Sequence, residues 1–161
     1  MNQIAYNMIL ALTLSFWSDA TLKNPINWAE TYTQTNIEVQ AYRPLKEKEL
    51  KKIDYIYRET YTLFFEHLKL TDVCLLDVVK IRVISRSMMN DARYFDLGLN
   101  LAARYFPDYR IIYVSDKALT TDQEDLVHEL GHYFYDVCGD IHGENKNIYR
   151  LEEAYLDRTK N

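Results

Sequence analysis

From Lys46 to Leu70 the chain runs without a glycine or a proline, and its apolar residues fall at helical spacing. Leu50, Ile53, Ile56 or Tyr57, Tyr61, Phe64 or Phe65 and Leu68 recur every three or four positions, which lines them along one side of a helix. The stretch is therefore one long amphipathic helix with a charged outer face, and its apolar side demands a partner surface. "DVVKIRVIS" (77–85) and "YRIIYVSD" (109–116) are rich in Val and Ile and read as strands. "ARYFDLGLNLAARY" (92–105) reads as a strand turning at Gly98 or as an irregular loop with a short strand. Thr121 to Glu124 fits a capping box opening a further helix, and Gly139 stands where a glycine would close it. A last helix begins near Ile148. The order helix, strands, helix, helix predicts an α+β fold with a small, mostly antiparallel sheet.

At 161 residues, 48% of them hydrophobic, the chain is long enough for one real core. A net charge of -5 with no Lys/Arg block argues against nucleic acid as a partner. "MILALTLSFW" (8–17), followed by Ser18-Asp19-Ala20, has the form of a signal peptide cleaved after Ala20, although no Lys or Arg precedes it. A core-packing N-terminal helix fits residues 1–20 equally well. The first reading implies a secreted or periplasmic protein, the second a cytoplasmic one. The run is too short to span a bilayer and no second apolar stretch competes, so no integral membrane segment is expected. Residues 21–45 are polar with interspersed aromatics and read as a connector, with one strand at "NIEVQAY". Cys74 and Cys138 are too few for a disulfide scaffold or a four-cysteine zinc site; they could form one bridge in an oxidising compartment, and two free thiols are the first expectation.

The chemistry is concentrated in "HELGH", residues 128 to 132. On a helix, His128 and His132 project from one face, a turn apart, where two imidazoles can reach a single zinc ion. Glu129 leans to the neighbouring position, where a carboxylate serves as general base toward a water and then as proton shuttle to a leaving amine. With 4 histidines in the chain, the pattern HExxH would arise in roughly half a percent of shuffled sequences, so it is read as a metal site. A catalytic zinc takes three protein ligands and leaves the fourth position open. Tyr135 and Cys138 exclude the HExxHxxGxxH pattern. Asp136, His142 and the acidic residues of the last helix remain as sources of the third ligand.

HELGH followed about twenty residues later by "EEAYLD" resembles the gluzincin branch of HExxH zinc metallopeptidases, the thermolysin-related group, and in size its minimal members, the minigluzincins. The resemblance covers roughly residues 77–158. It implies a zincin-like domain over 46–161, with the 46–70 helix as backing helix, an active-site helix and a C-terminal glutamate helix. It implies Glu153 as third zinc ligand and Asp157, four residues on, as support for His128. Glu152 is the less suitable choice on that pattern, because Leu156 would then stand at the supporting position. An extended peptide or protein substrate would add to the edge of the 109–116 strand, and residues 21–45 would be a pro-segment or inhibitory flap. The family's lower subdomain has no counterpart here, which leaves Tyr149, Arg150, Tyr155 and Arg158 as candidates to stabilise an oxyanion. The expected activity is zinc-dependent peptide hydrolysis. The alternatives are a catalytically silent, zinc-stabilised binding or inhibitor-like protein, and an autoinhibited precursor needing proteolytic release.

Overall fold

The computed structural model describes residues 26–34, 36–68, 77–91, 94, 101–138 and 144–160. The apolar run 8–17, Gly98, Gly139, His142 and Cys74 lie outside them. The described chain forms strands β1 (Glu30–Gln34), β2 (Ile37–Ala41), β3 (Val79–Ile84), β4 (Ala103–Phe106) and β5 (Ile111–Ser115). Its helices are α1 (Glu47–Leu68), the single turn α2 (Arg86–Met89), α3 (Gln123–Cys138) and α4 (Glu144–Thr159). The α+β class is as expected.

The sheet differs from expectation. Its order is β1-β2-β3-β5-β4. β2 pairs with β3, and β3 with β5, in parallel, and only the two outer pairs are antiparallel. The sheet is thus mixed rather than mostly antiparallel. A helical crossover such as α1 between β2 and β3 returns the chain in the same direction and so makes a parallel pair.

Residues 30–41 are likewise more than a connector. They make a hairpin whose second strand, anticipated at "NIEVQAY", buries Ile37, Val39 and Ala41 in the main core. The domain therefore begins well before residue 46, and this hairpin sits at the opposite side of the sheet from β4.

Period-two alternation sorts the strands between two faces. Val79, Ile81, Val83, Ile112 and Val114 point into the main core with the apolar sides of α1, α3 and α4. Ile84, Ile111 and Tyr113 face the other way, against Ile26 and Met89. Arg82 also faces away, almost fully buried, with its guanidinium over the Trp28 ring and an ion pair to Glu38 at 3.2 Å.

α1 starts on a local device. The Glu49 carboxylate accepts the backbone N–H of Lys46 at 2.8 Å, closing half of a capping box, and takes Arg43 at 2.6 Å. Those bonds, the one from Arg43 foremost, hold the Glu49 carboxyl down at about 2. α3 begins one residue later than its capping signal suggests. Thr121 bonds back to the Lys117 carbonyl within a turn instead of capping the helix. No helix of the described residues is long and apolar enough to cross a membrane.

Candidate metal and hydrolytic site

α3 is fixed by its apolar side. Leu126, Val127, Leu130, Tyr133 and Phe134 are fully buried, and the Phe134 ring lies 5.2 Å from that of Phe64 on α1 and 5.8 Å from that of Tyr57. The flank bearing Gly131 is covered by α4. A Cβ at that position would stand 3.1 Å from Ile148 and 3.3 Å from Leu151, so glycine lets the two helices approach. α4 meets this surface through Ile148, Leu151 and Tyr155, all buried.

That contact sets the rotation of α4, and the rotation decides which carboxylate faces the histidines. With Ile148, Leu151 and Tyr155 inward, residue 152 lies on the flank of the buried stripe and residue 153 lies opposite it. Glu152 is accordingly only partly exposed and contacts Nδ1 of His128. Glu153 and Asp157 are exposed on the outer side of α4. Glu152, set aside on the E-x-x-x-D spacing, is therefore the residue of α4 at this place. The apolar spacing of 148, 151 and 155 was the sequence signal for it.

His128 and His132 come together as the motif predicts. Their Nε2 atoms are 3.1 Å apart, with the rings edge to face at 4.8 Å. Two nitrogens held at zinc–histidine distance on a tetrahedral ion stand about 3.3 Å apart, so the pair already has the spacing a shared metal requires. Glu152 approaches the other nitrogen of His128, which is where a carboxylate fixes the tautomer and aim of a ligating imidazole. Among the described residues no set of three or more His, Cys, Asp or Glu side chains converges on one point. The spacing of the two histidines thus fits a metal held between them.

Glu129 is 8% exposed, and its Oε2 accepts the backbone N–H of Tyr105 at 2.6 Å. Tyr105 belongs to β4, the last strand of the sheet on that side. β5, expected to offer its edge to a substrate, lies between β3 and β4 and has no free edge; the edge belongs to β4. Asp136, weighed as a ligand, is engaged elsewhere. It accepts the Tyr105 hydroxyl at 2.8 Å and lies 3.6 Å from Arg110. Burial, and then the bond to Asp136, push the Tyr105 hydroxyl far above its usual range. Arg110 holds a left-handed backbone (φ 52°), an uncommon conformation for a residue with a side chain, and also pairs with Asp77 at 2.6 Å.

Of the four residues nominated to meet an oxyanion, Tyr155 is buried with its hydroxyl on Gln123, and Arg158 is held by Glu59 and Glu66 of α1. Tyr149 stands at the site, 60% exposed, with its ring 5.8 Å from that of His128. Arg150 is exposed on α4. Cys138, at the end of α3, is disulfide-bonded rather than a free thiol. Comparison with protein-family models, with curated proteins and with solved structures gives no match.

Proposed function

We propose that this chain is a zinc-dependent peptidase whose metal is held by His128 and His132. The observation that carries the reading is the approach of the two Nε2 atoms to 3.1 Å on a helix whose next carboxylate, Glu129, is buried beside them. Zinc held there supplies Lewis acidity, which polarises a carbonyl and makes a nearby water acidic at neutral pH. Glu129 is the group that takes a proton from the attacking water and returns it to the departing nitrogen. Glu152 holds His128 from behind, in the role the sequence pattern offers to Asp157. Tyr149, exposed against His128, is the side chain best placed to meet the substrate there. The extended peptide lies along β4, the strand with an available edge. A disulfide at Cys138 favours an oxidising compartment, in keeping with a secreted or periplasmic protein.

One observation favours a second reading, a zinc-stabilised binding protein that turns nothing over. Glu129 is engaged by the Tyr105 N–H, as a carboxylate with a purely structural duty would be.

Metal content and cleavage of an unfolded protein substrate, measured together, separate the two. On the peptidase reading, wild type carries about one zinc per chain and cuts, and His132→Ala loses both. Glu152→Ala weakens zinc binding by about 10- to 100-fold, and Glu153→Ala leaves it unchanged. Zinc without cleavage favours the second reading. No zinc in wild type, even after reconstitution, removes both.

A further inference from the structure

The Tyr105 N–H that Glu129 accepts is no ordinary donor of the sheet. Ser115 donates to the carbonyl of Ala102, directly opposite it in the β4–β5 register. In an antiparallel ladder the bonded pairs alternate, so Arg104 and Phe106 turn their main-chain groups toward β5. Ala103 and Tyr105 turn theirs outward, to the side where no strand of the described residues pairs. The outward N–H of Tyr105 is thus one of the few groups with which β4 can receive another strand. In this structure its partner is the carboxylate of Glu129.

We infer that Glu129 and an incoming polypeptide main chain share this donor in turn. Without substrate, the N–H holds the Glu129 carboxylate against the edge strand. An extended chain adding to β4 places one of its carbonyls on the Tyr105 N–H, and Glu129 is displaced from it beside the histidine pair. The ligand class is an extended main chain, recognised without regard to one side chain, because the contested bond involves backbone only. Tyr105 is well suited to this exchange. Its hydroxyl is tied to Asp136, two helical turns along α3 from Glu129, so the strand stays in place when the N–H changes partner. The inference rests on the peptidase reading for Glu129's chemical role, but the exchange itself is a binding event and can be measured without turnover.

The test titrates wild type, Glu129→Gln and Glu129→Ala with reduced, carboxymethylated α-lactalbumin, an unfolded chain offering many sequences, in chelator so that nothing is cut. Affinity and the amide signal of Tyr105 in ¹⁵N-labelled protein are followed together. Alanine removes the competing acceptor and glutamine keeps a neutral one. Binding should therefore tighten in the order wild type, Gln, Ala, by about five- to tenfold from first to last, with the Tyr105 amide shifting on addition of the chain in all three. A thermal melt on each variant shows that it is folded. Equal affinities, binding that leaves the Tyr105 amide unmoved, or no binding by any folded variant would each overturn the exchange. Variants that bind in this order, with zinc-loaded wild type that cuts nothing, would leave the exchange standing and sink the peptidase reading.

Discussion

The two sides of α3 are built on different principles. Toward α1 and the sheet the helix is dry, and Phe134 alone meets the rings of Tyr57, Tyr61 and Phe64 within 6 Å. Many weak contacts add up there, and no single one sets the geometry. Toward β4 and α4 the helix carries His128, Glu129, His132 and Asp136, and individual polar contacts place them: Glu152 on His128, the Tyr105 N–H on Glu129, the Tyr105 hydroxyl on Asp136. One side holds the helix and the other aims its side chains. Stability and chemistry should therefore be separable by mutation, although their residues alternate along the same sixteen positions.

The sharpest probe of that separation is Glu129→Gln. It keeps an acceptor for the Tyr105 N–H and removes the base, so kcat on an unfolded protein substrate should drop by about 10²- to 10⁴-fold. Its unfolding free energy in urea should stay within about 1 kcal/mol of wild type. Hydrolysis that persists in this variant removes Glu129 from the base's role. Phe134→Ala works on the opposite side. It should cost about 4 kcal/mol in urea unfolding through the cavity it leaves among the rings, while the fraction that remains folded keeps its zinc. A variant that lost zinc in step with stability would show that the two sides are coupled.

The smallest effect serves as a control remote from both. Glu49, bonded to Arg43 and the Lys46 N–H, has its folded carboxyl at about 2 against an ordinary 4.5. A group whose pKa is lowered by folding stabilises the fold above its unfolded pKa, and that contribution is lost as pH falls. Because Arg43 is one-third exposed, Glu49→Gln should cost on the order of 1 kcal/mol at neutral pH. The gap from wild type should close between pH 4.5 and about 2. A gap independent of pH would mean that the pair contributes packing and not charge.

Much of this molecule was readable in its sequence wherever the signal is local. α1, β3, β5 and the two helices around the site follow from spacing alone, and His128 and His132 meet because a helix dictates it. Readings failed where a distant neighbour decides. β5 looks like an edge until β4 pairs with it, and nothing within "YRIIYVSD" announces that partner. β1 (Glu30–Gln34) carries Thr31 and Thr33 on its exposed side and resembles a loop until β2 gives it a ladder. The choice between Glu152 and Glu153 is different. A family spacing pointed to one, and the apolar stripe of α4 packed at Gly131 turned the other inward.

The bond between Glu129 and the Tyr105 N–H has a consequence for how copies of this protein behave at high concentration. A strand with open main-chain groups is a template for any other strand, including the same one in a second molecule. β4 limits that hazard by being four residues long, by exposing Arg104 and by stopping just before Pro107. Glu129 adds a further guard by occupying one of the outward donors with a negative charge. Glu129→Ala, which opens the edge, is then also the variant in which edge-to-edge aggregation should first be looked for.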